Sequence, residues 1–192
     1  MSNSIQRFLC ITVISILSVA SIAFSNKAEA GLMGKSVQID WRHFHIDDVY
    51  LGFTSQFVVG PAVELTSWVG GVVDIDVTDS SIIMQVIHSA NVFTGPAQIP
   101  GVTFNGFAFI DYADALPAIA DVKINSITNL VGFDASRITF DTNHIYANVM
   151  GLSYDPTSVL QLDISLVPEP TTYSLMILGL GYITWRRFRR NG

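Results

Sequence analysis

Apolar and polar side chains alternate along much of the middle of this chain. Leu160, Leu162, Ile164 and Leu166 are separated by Gln161, Asp163 and Ser165, and Val73, Ile75 and Val77 by Asp74 and Asp76. A period of two is that of a half-buried strand. The same reading predicts strands over Val37–Ile46, Tyr50–Val59, Ile82–Ile87, Val102–Ile110, Val122–Ile127, Arg137–Phe140 and Ile145–Met150. Turn chemistry separates them, at Gly60-Pro61, Gly70-Gly71, Gly95-Pro96, Pro100-Gly101 and Asp141–Asn143. A short helix is expected near Asp114–Ala120, and no exact internal repeat is present. The expected class is therefore all-β, an antiparallel β-sandwich-like domain.

The two ends break this pattern. Near the N-terminus a weakly positive start reaching Arg7 is followed by a mostly apolar run from Phe8 to Phe24, then by Ala28-Glu29-Ala30. That order predicts a secretory signal peptide over 1–30, cut after Ala30, with a retained membrane anchor as the alternative. Cys10 follows Phe8-Leu9 rather than the small residues of a lipoprotein signal, so it belongs to the apolar run. At the other end, Pro168 and Pro170 flank Glu169 and favour extended backbone. The uncharged run Tyr173–Trp185 follows, and then Arg186, Arg187, Arg189 and Arg190. As a helix that run spans about 20 Å at about 1.5 Å per residue, short of the roughly 30 Å hydrocarbon core. Its length alone suits a buried core helix. Its bracketing aromatics, Tyr173 and Trp185, and the arginines behind it suit a short transmembrane helix that stops transfer with its arginines in the cytoplasm.

Charge is partitioned in the same way. Mean hydropathy is positive, at +0.43. Residues 31–167 hold four basic residues (Lys35, Arg42, Lys123 and Arg137) against 14 acidic ones, a net charge of −10. Such a domain repels a phosphate backbone, so no nucleic-acid partner is expected. The domain also lacks cysteine, the single one being Cys10. It must be held by its core or by bound ions, and about 135 residues suffice for a sizeable core.

The order Val167-Pro168-Glu169-Pro170, a short apolar segment and an arginine cluster resembles the PEP-CTERM sorting signal. The likeness covers about 25 residues, 167–192, and rests on features in fixed order. It implies a substrate of an exosortase, a membrane-embedded transpeptidase-like enzyme, with Pro168, Glu169 and Pro170 as its recognition element. It further implies a Gram-negative, exopolysaccharide-producing source and a destination at the cell surface or in the biofilm matrix. The Sec translocon and signal peptidase would handle the other end. The cytoplasmic membrane would be a transient anchor, with the domain, residues 31–166, on the periplasmic side. Phe104-Asn105-Gly106-Phe107 and the segments after Ile138 look loosely like the small β-rich domains of short PEP-CTERM proteins, which implies no activity.

Within the domain three clusters invite chemistry. His43 and His45 are two apart on an expected strand with Asp47 continuing the face, so they could share a transition metal with His88 or His144, or line a polar face. Asp74, Asp76 and Asp79 are hard oxygen ligands suited to calcium, or a solvated strand face, and their spacing lacks the glycine and glutamate of an EF-hand. Trp41, Trp68, Tyr50, Phe53 and the Phe104–Phe109 group could stack on sugars or fill the core. No nucleophile elbow, zincin motif, phosphate loop or mature cysteine is present, so no enzyme and no catalytic residue is expected. The expected function is a non-enzymatic exported surface protein that an exosortase processes, with no required cofactor. The alternatives are a carbohydrate- or calcium-binding module acting on exopolysaccharide and a secreted hydrolase of unrecognised type.

Overall fold

The computed structural model describes residues 31–167, together with 179, 181, 182, 186, 187 and 189. Ala28, Ala30, Pro168, Glu169, Pro170, Tyr173, Trp185 and Arg190 lie outside the described residues. Arg186, Arg187 and Arg189 are helical and exposed. Among the described residues no helix is long and apolar enough to cross a membrane. Contacts set Ala30–Val167 apart as a compact unit.

That unit is all-β. Its strands are β1 (Ser36–Phe44), β2 (Val49–Val58), β3 (Leu65–Ser67), β4 (Val73–Val77), β5 (Ser81–Val86), β6 (Asn91–Val92), β7 (Phe104–Asp111), β8 (Ile119–Ile124), β9 (Ile138–Phe140), β10 (His144–Asn148), β11 (Ser153–Tyr154) and β12 (Val159–Leu166). One five-stranded sheet has the order β2-β1-β7-β10-β9 and a second has the order β3-β4-β5-β12-β8, while β6 and β11 form a two-stranded ribbon. Every pairing is antiparallel.

The alternation in the sequence becomes the inward faces of both sheets. Val37, Ile39 and Trp41 of β1, Phe107 and Phe109 of β7 and Ile145 of β10 share one core with Val73, Ile75 and Val77 of β4, Met84 of β5 and Leu160 and Leu162 of β12. The arrangement is sandwich-like, one core lined by two sheets. Full burial of an aliphatic side chain contributes about 1.5–3 kcal/mol, so this core outweighs any other stabilising feature of the fold. A polar residue of β7 also faces it. Asn105, 5% exposed, accepts from the Trp41 indole Nε1 at 3.0 Å and donates to the Thr94 carbonyl at 3.0 Å. Glu64 adds a polar link, accepting from the Gly60 amide beyond β2 and from the Val77 amide of β4.

Two expectations are corrected. The helix near Asp114–Ala120 is absent: a single 3-10 turn, Tyr112–Asp114, leads into a loop and then β8. Ala113 and Asp114 have φ of 63° and 53°, left-handed values that cannot propagate a right-handed helix, and Pro117 disfavours helical backbone before it. The strand expected over Val122–Ile127 is displaced towards the N-terminus, because the Asn125 side chain turns the chain by accepting from the Ile127 amide.

Candidate functional site

The outer face of the first sheet departs from simple alternation. Residues 104–109 of β7 are buried throughout, so this strand is covered on both sides. Gly106 and Ala108 point away from the core and form a shallow trough. Any side chain at Gly106 would collide with the Ala147 carbonyl. On the neighbouring strands Arg42 lies opposite Gly106, and Tyr146 lies opposite Ala108. Their side chains meet, with the Arg42 guanidinium carbon 5.8 Å from the Tyr146 ring centroid.

Asp40, two residues from Arg42, shares its face because side chains alternate along a strand. Its carboxylate accepts from Arg42 Nη2 at 2.8 Å and from Gln38 Nε2 at 2.9 Å. The pair is deep: the side chains of Arg42 and Asp40 are 13% and 2% exposed. Arg42 Nη1 donates to the Ile46 carbonyl at 2.9 Å. Arg42 Nε is buried with no hydrogen-bond partner, the one such side-chain atom among the described residues. Burial pushes the Tyr146 phenol above its ordinary pKa; Arg42 opposes this, and Asp141, Asp47 and Asp40 add to it.

An open cleft of about 480 Å3 adjoins this pair. The loop after β1 supplies Ile46 and Asp47, β7 supplies Phe104, the end of the second 3-10 turn (Ala135–Arg137) supplies Arg137, and β9 and β10 supply Thr139 and Asn148. Arg137 is fixed by donating to the carbonyls of Asn148 and Met150. Phe104 packs edge-on against Tyr146 with ring centroids 6.5 Å apart. A carboxylate, a guanidinium and a hydroxyl therefore line one depression with the Phe104 ring and the His45 imidazole, an arrangement suited to a polyhydroxylated ligand with an apolar face.

Of the residues singled out in the sequence, His45, Asp47 and Phe104 come together in the lining of this cleft, and the others are scattered. His43 is buried, with its ring against Phe44 and Tyr50. His45 does not share its face, because β1 ends at Phe44, whose φ of 76° breaks the alternation. His45 is exposed and its Nδ1 lies 2.8 Å from Asp48. His88 contacts Ser89. His144 lies 3.0 Å from Asp141; burial alone would raise that carboxyl, but the Asn143 amide and His144 outweigh it and hold it below its ordinary value. Asp74 and Asp76 lie on the outer face of β4, and Asp74 accepts from the Ser67 amide at 2.7 Å. Asp79 turns instead towards the start of the domain, where it accepts from the Met33 amide at 3.0 Å. Among the described residues no three His, Cys, Asp or Glu side chains are grouped to hold a metal. Trp41, Trp68, Phe53 and Tyr50 form one chain of ring contacts, with Trp41 buried and the others half-buried, and Phe107 and Phe109 are in the core.

The reading of the sequence passed over the Asp40–Arg42 pair. Opposite charges two apart on a strand, between the inward Ile39 and Trp41, were the available signal. No protein-family profile matches the chain, and no curated protein or solved structure matches it. Fold and site together define an all-β, sandwich-like domain with a roofed ion pair and an adjoining polar cleft on one outer face.

Proposed function

We infer that this is an exported, non-enzymatic surface protein that an exosortase sorts through its PEP-CTERM tail and that ends in the exopolysaccharide matrix. The observation that carries the reading is where the folded unit stops. β12 ends at Leu166, and the Val167 amide donates to the Ala118 carbonyl at 2.8 Å. Pro168-Glu169-Pro170 follows at once. The segment an exosortase would read therefore lies outside the unit and can be cut without breaking a strand. Replacing all three residues by alanine should leave the melting temperature unchanged and retain the full-length chain in the membrane. Normal release of that variant would refute the reading.

A second reading is favoured by the cleft. Asp47, Arg137 and Thr139 beside Phe104 would suit a segment of the cell's own polysaccharide, which makes the domain a binding module. Retention on a glycan array that is lost in Asp47→Asn supports this reading. An array on which wild type and variant are equally blank removes it.

A further inference from the structure

The first residues of the domain make a contact that neither reading uses. Leu32 is fully buried and its amide donates to the Asp79 carbonyl at 2.9 Å. The Met33 amide donates to the Asp79 carboxylate. Gly31 lies closer still, for a Cβ at Gly31 would sit 2.6 Å from Asp79 Cγ, inside any permissible contact. The carboxylate thus closes over the backbone of 31–33, and glycine is the residue that leaves it room. The Gly31 nitrogen is one bond, about 1.46 Å, from the Cα that this carboxylate abuts.

While the chain continues into Ala30, that nitrogen is a neutral amide. Hydrolysis of the 30–31 bond adds water across it: Ala30 leaves with the new carboxylate, and Gly31 keeps an amine that takes up a proton. Its ordinary pKa of about 7.7–8.0 leaves it mostly charged at neutral pH.

We propose that Asp79 is the docking group for the α-ammonium that signal peptidase creates at Gly31, so that removal of the signal completes an ion pair closing the domain's N-terminal edge. This rests on the reading that cleavage falls after Ala30. The remaining charged groups on adjoining segments have other roles. Glu64 is held by the Gly60 and Val77 amides, and Asp163 by the Asn125 and Gln161 side chains. Lys35, four residues along, is the nearest basic residue in sequence and opposes protonation of the amine.

An opposite charge beside an amine raises its pKa. The stabilisation is complete below the unfolded pKa and is lost as pH rises through the folded one. The test uses the chain from Gly31 to Gly192 in detergent. The amine pKa is measured from the pH dependence of its acylation, read by mass spectrometry. We expect a value at least about half a unit above the ordinary 7.7–8.0. Asp79→Asn, which keeps an oxygen for the Met33 amide, should return it to that range, and so should Gly31→Ala. Acetylating the amine should lower the melting temperature of wild type and leave Asp79→Asn unmoved. An amine pKa equal in wild type and Asp79→Asn overturns the proposal with the cleavage reading intact. N-terminal sequencing of exported protein that finds another start overturns the cleavage reading, and the proposal with it.

Discussion

The two sheets share one core but present different outer faces. On the second sheet Asp74 and Asp76, Gln85, Gln161 and Asp163, and Asp121 and Lys123 point outward and are at least partly solvated. Its ion pair, Lys123 with Asp121 at 3.0 Å, has side chains 74% and 44% exposed and contributes little. On the first sheet the outward layer is dry at its centre, over β1, β7 and β10, while Thr54, Gln56 and Val58 of β2 stay exposed. Asp40 and Arg42 are taken out of water above a strand that carries only small residues there, and Tyr146 completes the cover. One face was left to solvent, while the other holds a charge pair whose desolvation must be offset by good geometry. Sites form more readily on the second kind of surface, because a buried charge fixes its neighbours, and the cleft adjoins it.

This contrast can be broken by substitution. Asp40→Ala strands a nearly buried guanidinium and should cost about 3 kcal/mol or more in urea denaturation, whereas Asp76→Ala on the other sheet should stay within about 0.5 kcal/mol. Equal costs would erase the distinction between the faces. Tyr146→Leu removes the ring packed against Arg42 while keeping apolar cover, and should cost about 0.5–1 kcal/mol. That cost should vanish when Arg42 is already methionine, a double-mutant result that isolates the cation–π contact. The smallest effect is expected in acid. Asp121, held below its ordinary pKa by Lys123, and Asp134 and Asp155, held there by Ser136 and Thr157, are solvated, and Asp141 joins them at the rim of the first sheet. Depressed carboxyl pKa values stabilise the fold above about pH 4, and this is lost as pH falls through the folded values. Melting temperature should decline gently below pH 4, and asparagine at all four positions should flatten the decline.

The strands of the first sheet were all expected, whereas in the second β3 was not and β8 was displaced; what differed was how cleanly each strand alternates. β4 and β12 alternate cleanly because one face meets the core and the other meets water. β7, expected as Val102–Ile110, does not, since Phe104-Asn105-Gly106-Phe107-Ala108-Phe109 is buried on both sides, so the strand was legible but the cover on its outer face was not. The pairings β1–β7, β5–β12 and β12–β8 join segments far apart in sequence, which a local pattern cannot specify. The ribbon of β6 and β11 has strands of two residues, too short for any periodicity. The histidine pair was misread because strand parity holds only while the strand continues, and Phe44 ends it. His45, Asp47 and Phe104 of the cleft were singled out in the sequence, but their meeting with Arg137, Thr139 and Asn148 was not foreseeable, since those segments lie up to about 100 residues apart and only the sheet order brings them together.

β12 is the last strand of the domain, yet it occupies an interior position, between β5 and β8. Until it arrives, β8 has no partner in its sheet and the core lacks Leu160, Leu162 and Ile164. A chain threaded through a membrane N-terminus first therefore cannot complete its second sheet until residue 166 has emerged. The rate of that step is governed by long-range pairing rather than local turns. On the exported reading, secretion and folding are kept in sequence: the polypeptide stays threadable for as long as it is still being threaded, and closes when its final strand is delivered.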